Sequence, residues 1–178
     1  MKLKEKKIGS KEVFKGHILD LFVDDVICPN GHQTTREVIR HCKASCVLAQ
    51  LDNGNFILEK QYRYPYDDVI FELPAGKADG DEDPKVTAKR ELLEETGYSA
   101  KTIEFLGEFY PSAAYTDEII YLYYATNLVK KTQHLDENES LEVLEYSFQD
   151  IEKLIKDGKI KDGKTLATFL YYKLKIGE

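Results

Sequence analysis

The chain has 178 residues, 42% of them hydrophobic, and a formal net charge of −7 at pH 7. This length supports a single core, and the lack of any basic stretch excludes the electrostatic footprint of a DNA- or RNA-binding protein. No apolar run approaches the roughly 18 residues of a membrane-spanning helix, and the charged start MKLKEKK leads into no signal-peptide core. The odd number of cysteines, Cys28, Cys42 and Cys46, indicates reduced thiols. We therefore expect a cytoplasmic protein with no nucleic-acid and no membrane partner.

The first forty residues favour β-strands. Residues 3–8, 13–27 and 33–39 are rich in β-branched and aromatic side chains, and Pro29-Asn30-Gly31 is a turn signal between the last two segments. We expect a meander of about three antiparallel strands over residues 1–40, followed by the main domain over residues 41–178.

The next segments predict a hairpin and a small-residue turn. Residues 45–51 and 56–63 are strand-like and flank the turn sequence Asp52-Asn53-Gly54-Asn55. The following apolar run, residues 69–73, ends in Pro74-Ala75-Gly76. Because glycine and alanine leave the backbone open to close approach, the carbonyl of Ala75 is a candidate metal ligand.

A helix is predicted to begin at Pro84. Asp83 suits the N-cap, proline suits the first helical position, and Gly97 is a candidate C-terminal stop. Val86, Leu92 and Leu93 are expected to form its buried face.

Glu91, Glu94 and Glu95 stand at positions i, i+3 and i+4 of this helix, so their side chains point to one side. Three like charges repel one another by roughly 0.2–0.5 kcal/mol per pair in an isolated helix. Most acidic runs of this kind are only solvated surface. The alternative is a site for a hard cation such as Mg²⁺ or Mn²⁺, which prefers carboxylate oxygens.

The remainder mixes strands and helices. Residues 102–109, 118–125 and 141–148 are strand-like, and residues 151–156 and 166–174 favour two terminal helices separated by Gly158 and Gly163. This order predicts an α+β fold.

The acidic helix belongs to a longer pattern that resembles the signature of the Nudix hydrolases. All eight fixed residues of that signature are present at its spacing: Gly76, Glu82, Arg90, Glu91, Leu92, Glu94, Glu95 and Gly97. The one soft departure is Tyr98, where the family usually has an aliphatic residue. Flanking segments are similar to the ADP-ribose pyrophosphatase branch of the family: Arg36-Glu37-Val38, Gln61-Tyr62-Arg63-Tyr64, Glu72-Leu73-Pro74-Ala75-Gly76 and Asp136-Glu137-Asn138-Glu139. The resemblance implies a Nudix fold, a mixed β-sheet core sandwiched by helices, with an N-terminal antiparallel strand region.

The resemblance also implies roles for individual residues. The family holds Mg²⁺, with Mn²⁺ as a substitute, at positions that correspond to the Ala75 carbonyl, Glu91 and Glu95. Glu94 corresponds to a residue beside these metal ligands and is a further catalytic candidate.

Two more pairs of residues follow from the same resemblance. Arg36 and Arg63 correspond to groups that grip the phosphates or the terminal ribose of the substrate. Glu137 and Glu139 match the loop acids from which the family draws its general base, and Glu139 is favoured.

The activity implied is Mg²⁺-dependent hydrolysis of the diphosphate linkage of ADP-ribose or a related nucleoside diphosphate sugar, giving AMP and ribose 5-phosphate from ADP-ribose. The alternatives are a pyrophosphatase for another nucleotide sugar such as GDP-mannose, a non-catalytic nucleotide-sugar-binding Nudix protein, and an isomerase of prenyl diphosphates. In this branch the N-terminal strands form an arm for dimerisation, so the resemblance implies a homodimer. Two substrate-side stretches depart from the branch, Ser112-Ala113-Ala114 and His41-Cys42-Lys43-Ala44.

Overall fold

The computed structural model of the protein describes residues 2–176 and contains ten β-strands and three α-helices. In chain order the strands are β1 Lys6–Lys15, β2 Asp20–Ile27, β3 Gln33–Arg40, β4 Ala44–Ala49, β5 Phe56–Arg63, β6 Asp68–Glu72, β7 Ala75–Lys77, β8 Tyr98–Phe109, β9 Ile120–Lys130 and β10 Leu141–Tyr146. The helices are α1 Pro84–Thr96, α2 Phe148–Lys156 and α3 Gly163–Ile176. Within residues 2–176, none of these helices combines the length and the apolar composition that crossing a membrane requires.

The chain divides into two compact units, and the first, here called the strand unit, comprises the chain up to Cys42 together with Tyr110–Ile119. It contains an antiparallel sheet in the order β1-β2-β3, so the expected three-strand meander is present. The strand-like segment over residues 13–27 is divided between the end of β1 and the whole of β2. Gly16 N donates to the carbonyl of Leu19 at 3.0 Å and closes a turn there, because the chain must reverse between β1 and β2.

The loop Tyr110–Ile119 is held against the end of β3. Ile39 N donates to the carbonyl of Tyr115 at 2.7 Å, and Asp117 N donates to the carbonyl of Ile39 at 3.2 Å. These bonds satisfy backbone groups on both segments.

The second unit, here called the main unit, comprises Lys43–Phe109 and the chain from Ile120 onward. It contains an antiparallel sheet in the order β10-β5-β6 and a mixed sheet in the order β7-β4-β9-β8, in which β4 and β9 run parallel. Alternate residues of β4 enter opposite clusters: Cys46 and Leu48 pack with residues of α2 and α3, and Val47 and Ala49 pack with residues of α1. Helices therefore cover both faces of β4, and the predicted α+β architecture with a mixed sheet between helices is confirmed.

The predicted hairpin between residues 45–51 and 56–63 is wrong. The turn at Gly54 forms, with Leu51 N donating to the carbonyl of Asn55 at 2.8 Å and an isolated bridge between Gln50 and Phe56, but β4 and β5 belong to different sheets. All six residues of β4 are buried, and its two edges are taken by β7 and β9. A local turn signal cannot reveal that distant strands compete for the same edges.

Candidate active site

Helix α1, which carries the three glutamates, begins and ends as the sequence predicts. The Asp83 side chain accepts a hydrogen bond from Lys85 N at 2.8 Å, and Gly97 ends the helix with a φ of 70°. The buried residues are Thr87, Ala88, Leu92, Glu95 and Thr96. The prediction that Val86 is buried is wrong, because its side chain lies on the solvent side of the helix and is 52% exposed. A carboxylate, Glu95, takes a place on the inner face instead.

Arg90 connects the helix acids to the turn before them. Its Nη1 donates to Glu91 Oε1 at 2.8 Å and to Glu94 Oε2 at 2.9 Å. Its Nη2 donates to Glu82 Oε2 at 2.9 Å and to the carbonyl of Lys77 at 2.8 Å. The hydrogen bond from Arg90 is the largest cause that lowers the pKa of Glu82 to about 2. One guanidinium therefore lies within ion-pair distance of four carboxylates, the fourth being Asp79 at 3.7 Å, and offsets their charge only in part.

The turn at the start of β7 lies directly against the helix carboxylates. Ala75 N donates to Glu95 Oε2 at 2.8 Å. At Gly76 an added Cβ would overlap the carboxyl group of Glu91, so this contact requires a residue without a side chain. The structure thus brings together Ala75, Glu91 and Glu95, the residues that sequence reasoning grouped as a metal site.

These carboxyls are hard to ionise without a cation. Glu95 is 4% exposed, and burial, followed by the charges of Glu59 and Glu91, raises its pKa. Burial raises the pKa of Glu91 to about 7 despite the neighbouring Arg90. The charge of Glu139 acts in the same direction on both groups.

Arg63 is bound to a buried acid on the adjacent strand. Its Nε and Nη2 donate to the two carboxylate oxygens of Glu72 at 2.5 and 2.8 Å. The ammonium of Lys164 pairs with the same carboxylate and with Asp162 Oδ2, the latter at 3.1 Å. Burial opposes ionisation of Glu72, but the hydrogen bond from Arg63 and the charge of Lys164 outweigh it and lower its pKa. The Arg63 side chain is 39% exposed, so part of it remains accessible.

The two loop acids differ in their placement. Glu139 is half-buried, and Gln61 Nε2 donates to its Oε1 at 3.4 Å. Its charge raises the pKa of Glu59, Glu91 and Glu95, which puts it in the same acidic cluster. Glu137 is exposed. Of the two, Glu139 has the placement that a base acting near the helix carboxylates needs.

Arg36 lies on β3, in the strand unit. Its Nε and Nη2 donate to the carboxylate oxygens of Glu5 at 3.1 and 2.5 Å, and its Nη1 donates to the carbonyl of Thr35 at 2.9 Å. A phosphate that approached this guanidinium would compete with Glu5 for its donors.

The donor set suits a hard divalent cation. The predicted ligands are carboxylates and a backbone carbonyl, and none of them is nitrogen or sulfur. Buried negative charge exceeds the nearby positive charge, and Glu59 Oε1 is a buried oxygen that, within residues 2–176, has no hydrogen-bond partner. Across the same residues no three His, Cys, Asp or Glu side chains form a ready-made metal cage. Arg90 contacts one oxygen each of Glu91 and Glu94, which leaves the second oxygen of each carboxylate for another partner.

Sequence reasoning missed two charged residues of this site. Glu59 follows Phe56-Ile57-Leu58 in β5, and a single acid at the end of such an apolar run was the available signal. Lys164 opens α3, far from the acidic helix in sequence, and no local pattern connects it with Glu72.

Comparison with known proteins defines the class of protein to which this site belongs. The NUDIX domain model matches residues 40–169, and the model of the nucleoside diphosphate sugar hydrolase N-terminal domain matches residues 5–39. The chain belongs to the Nudix family and is a Nudix hydrolase, as the pattern from Gly76 to Gly97 predicts. Members of this family generally use divalent metal ions.

Individual relatives are similar over nearly the whole chain. An ADP-ribose pyrophosphatase of Bacillus subtilis is 41% identical over 97% of this chain and 95% of its own. A methanol dehydrogenase activator of Bacillus methanolicus is 41% identical over 96% and 94%. A GDP-mannose pyrophosphatase of Yersinia enterocolitica is 35% identical over 91% and 89%. A crystal structure of an ADP compounds hydrolase has the same fold, with a TM-score of 0.88 over 98% of this chain and 95% of its own, at 19% identity.

Proposed function

We propose that this protein hydrolyses the diphosphate linkage of ADP-ribose or a closely related nucleoside diphosphate sugar, giving AMP and ribose 5-phosphate from ADP-ribose. The observation that carries the proposal is the complete acidic cluster on α1 and its close contact with Ala75 and Gly76. The similarity to an ADP-ribose pyrophosphatase over nearly the whole chain supports this substrate class.

The proposed cofactor is Mg²⁺, with Mn²⁺ as a substitute, held by the Ala75 carbonyl, Glu91 and Glu95. When bound, such an ion neutralises charge on the diphosphate oxygens and lowers the pKa of an attacking water. Glu95 is buried, Glu91 is half-buried, and both face more negative charge than Arg90 offsets, so a further cation would compensate them.

The remaining proposed roles are assigned by position. Glu139 takes the proton of the attacking water, with Glu137 as the less favoured candidate and Glu94 as a further acid of the same shell. Arg63, prealigned by Glu72, binds a phosphate oxygen through its accessible part. Arg36 is proposed as a second phosphate or ribose contact.

A second substrate is favoured by one observation. The 35% identity to a GDP-mannose pyrophosphatase spans most of both chains, so GDP-mannose is the alternative nucleotide sugar. A non-catalytic binding protein is disfavoured because Glu91, Glu94 and Glu95 are all present.

A substrate panel tests the proposal. Purified protein with Mg²⁺ is incubated with ADP-ribose, GDP-mannose and nucleoside triphosphates, and the nucleoside monophosphate released from each substrate is separated by chromatography and quantified. We expect a kcat/KM for ADP-ribose at least tenfold above that for the triphosphates. A preference for a triphosphate would overturn the substrate class, and the Glu95→Gln variant, purified in parallel, controls for contaminating hydrolases.

We also propose a two-fold homodimer located in the cytoplasm. The strand unit exposes large apolar side chains near the β1–β2 turn, among them Val13, Phe14 and Ile18, which are 52, 57 and 68% exposed.

The cytoplasmic location is supported by the three cysteines, which are free thiols as in a reducing compartment.

Sedimentation tests the dimer. We expect the native chain to sediment as a dimer and Phe14→Glu to shift it toward the monomer, because a charge would have to be buried in the interface. Lys15→Glu, at the exposed neighbouring position, is the control and should leave the dimer intact. A stable native monomer with full activity would contradict the proposal.

A further inference from the structure

Glu59 is a buried acid whose charge and hydrogen-bonding capacity are not fully compensated by its neighbours. It follows three core residues of β5, Phe56, Ile57 and Leu58, and is itself 2% exposed. Its Oε1 accepts no hydrogen bond from any residue between 2 and 176. A carboxylate in such a position destabilises the fold unless something compensates its charge, and a leucine would continue the apolar strand at less cost.

The cations nearest to Glu59 are already engaged elsewhere. Glu59 on β5 lies opposite Glu72 on β6 in the antiparallel pair of strands. Arg63 and Lys164 both form ion pairs with Glu72. These two cations offset the charge of Glu59 only in part. Burial, then the charges of Glu139 and Glu72, leave its pKa raised.

The side chain of Glu59 lies on the same side of its strand as the proposed catalytic groups. Residues 59, 61 and 63 share one face of β5, and Gln61 donates to Glu139 from that face. The charge of Glu59 in turn acts on Glu95, the most buried acid of α1. The carboxyl group that carries this unpartnered oxygen therefore lies among the acids of the site, where the positive charge is too small to compensate it.

We propose that Glu59 supplies an additional oxygen donor, directly or through a bound water, to the divalent cation held at Glu91 and Glu95. The inference rests on the proposed function for the presence of that cation. It assigns the buried carboxylate a task that an apolar residue could not perform, and it extends the metal site from α1 and β7 onto β5.

Mn²⁺ binding to the full chain tests this inference without measuring turnover. The free-ion electron paramagnetic resonance signal gives the affinity for Mn²⁺ alone, and thermal denaturation with and without Mn²⁺ gives the metal-induced shift in Tm. We expect Glu59→Leu to weaken Mn²⁺ binding by about 10- to 100-fold, the usual loss when a supporting metal-site residue is removed. Without metal, Glu59→Leu should melt at or above the native Tm because an uncompensated buried acid has been removed.

Two controls keep the result interpretable. Glu59→Gln retains the shape and should also weaken Mn²⁺ binding, so it replaces the leucine variant if that variant fails to fold. Glu145→Gln removes an exposed acid from β10 and should leave the affinity within twofold. Native Mn²⁺ affinity in both Glu59 variants would overturn the inference.

The outcome is separable from that of the substrate panel. If the native chain cleaves none of the diphosphates but loses Mn²⁺ affinity on substitution of Glu59, the ligand role stands and the proposed substrate fails. If the native chain is active and the Glu59 variants bind Mn²⁺ normally, the inference fails alone.

Discussion

Replacing Glu95 by glutamine should lower kcat/KM by about 10³-fold, equivalent to roughly 4 kcal/mol of transition-state stabilisation, with little change in Tm. The amide keeps an oxygen that can accept the hydrogen bond from Ala75 N, so the turn and the helix stay together. The substitution removes a negative charge from a residue that is 4% exposed, where the proposed cation would be held mainly by charge. Steady-state kinetics at several Mg²⁺ concentrations measures the effect.

Two comparisons make this result specific. Glu145→Gln changes the net charge equally at an exposed position and should retain native kinetics. Raising Mg²⁺ should recover part of the lost rate, because the variant binds the ion more weakly. A Glu95→Gln variant with near-native turnover would mean that the metal assignment is wrong.

Introducing a methyl group at Gly76 should lower kcat/KM by about 10²-fold, equivalent to roughly 2.7 kcal/mol, while the fold survives. An added Cβ would overlap the end of the Glu91 side chain. Since that end is flexible, the clash is relieved by moving the carboxylate, which costs little stability but displaces a proposed metal ligand. Kinetics and thermal denaturation of Gly76→Ala check both parts.

A double-mutant cycle tests the cause of this loss. If Gly76→Ala acts by displacing Glu91, adding it to Glu91→Gln should reduce activity little further, because the same interaction is already gone. Lys77→Ala, at the exposed neighbouring position, should behave like the native protein. Additive losses in the double variant would show that the glycine serves another purpose.

The acidic helix was predictable because its signals are local. The Asp83 cap, Pro84 and the stop at Gly97 lie within one short segment, and the structure has each of them in its expected role. The N-terminal strands were also foreseeable from composition. The prediction of a hairpin was wrong because β4 pairs with β7 and β9 instead of β5. This pairing depends on strands that are distant in the sequence. The prediction for Val86 was wrong because its position lies on the helix face opposite Glu95, toward solvent.

Residue types at short, fixed spacing are enough to predict the family, the acidic helix and the kind of cation that suits it. Which charges meet depends instead on how distant parts of the chain pack. Lys164 reaches Glu72 from 92 positions away, and Glu59 faces Glu72 through strand pairing. Such contacts depend on how β5, β6 and α3 pack, and a buried charge is stabilised or left uncompensated by neighbours that are remote along the chain.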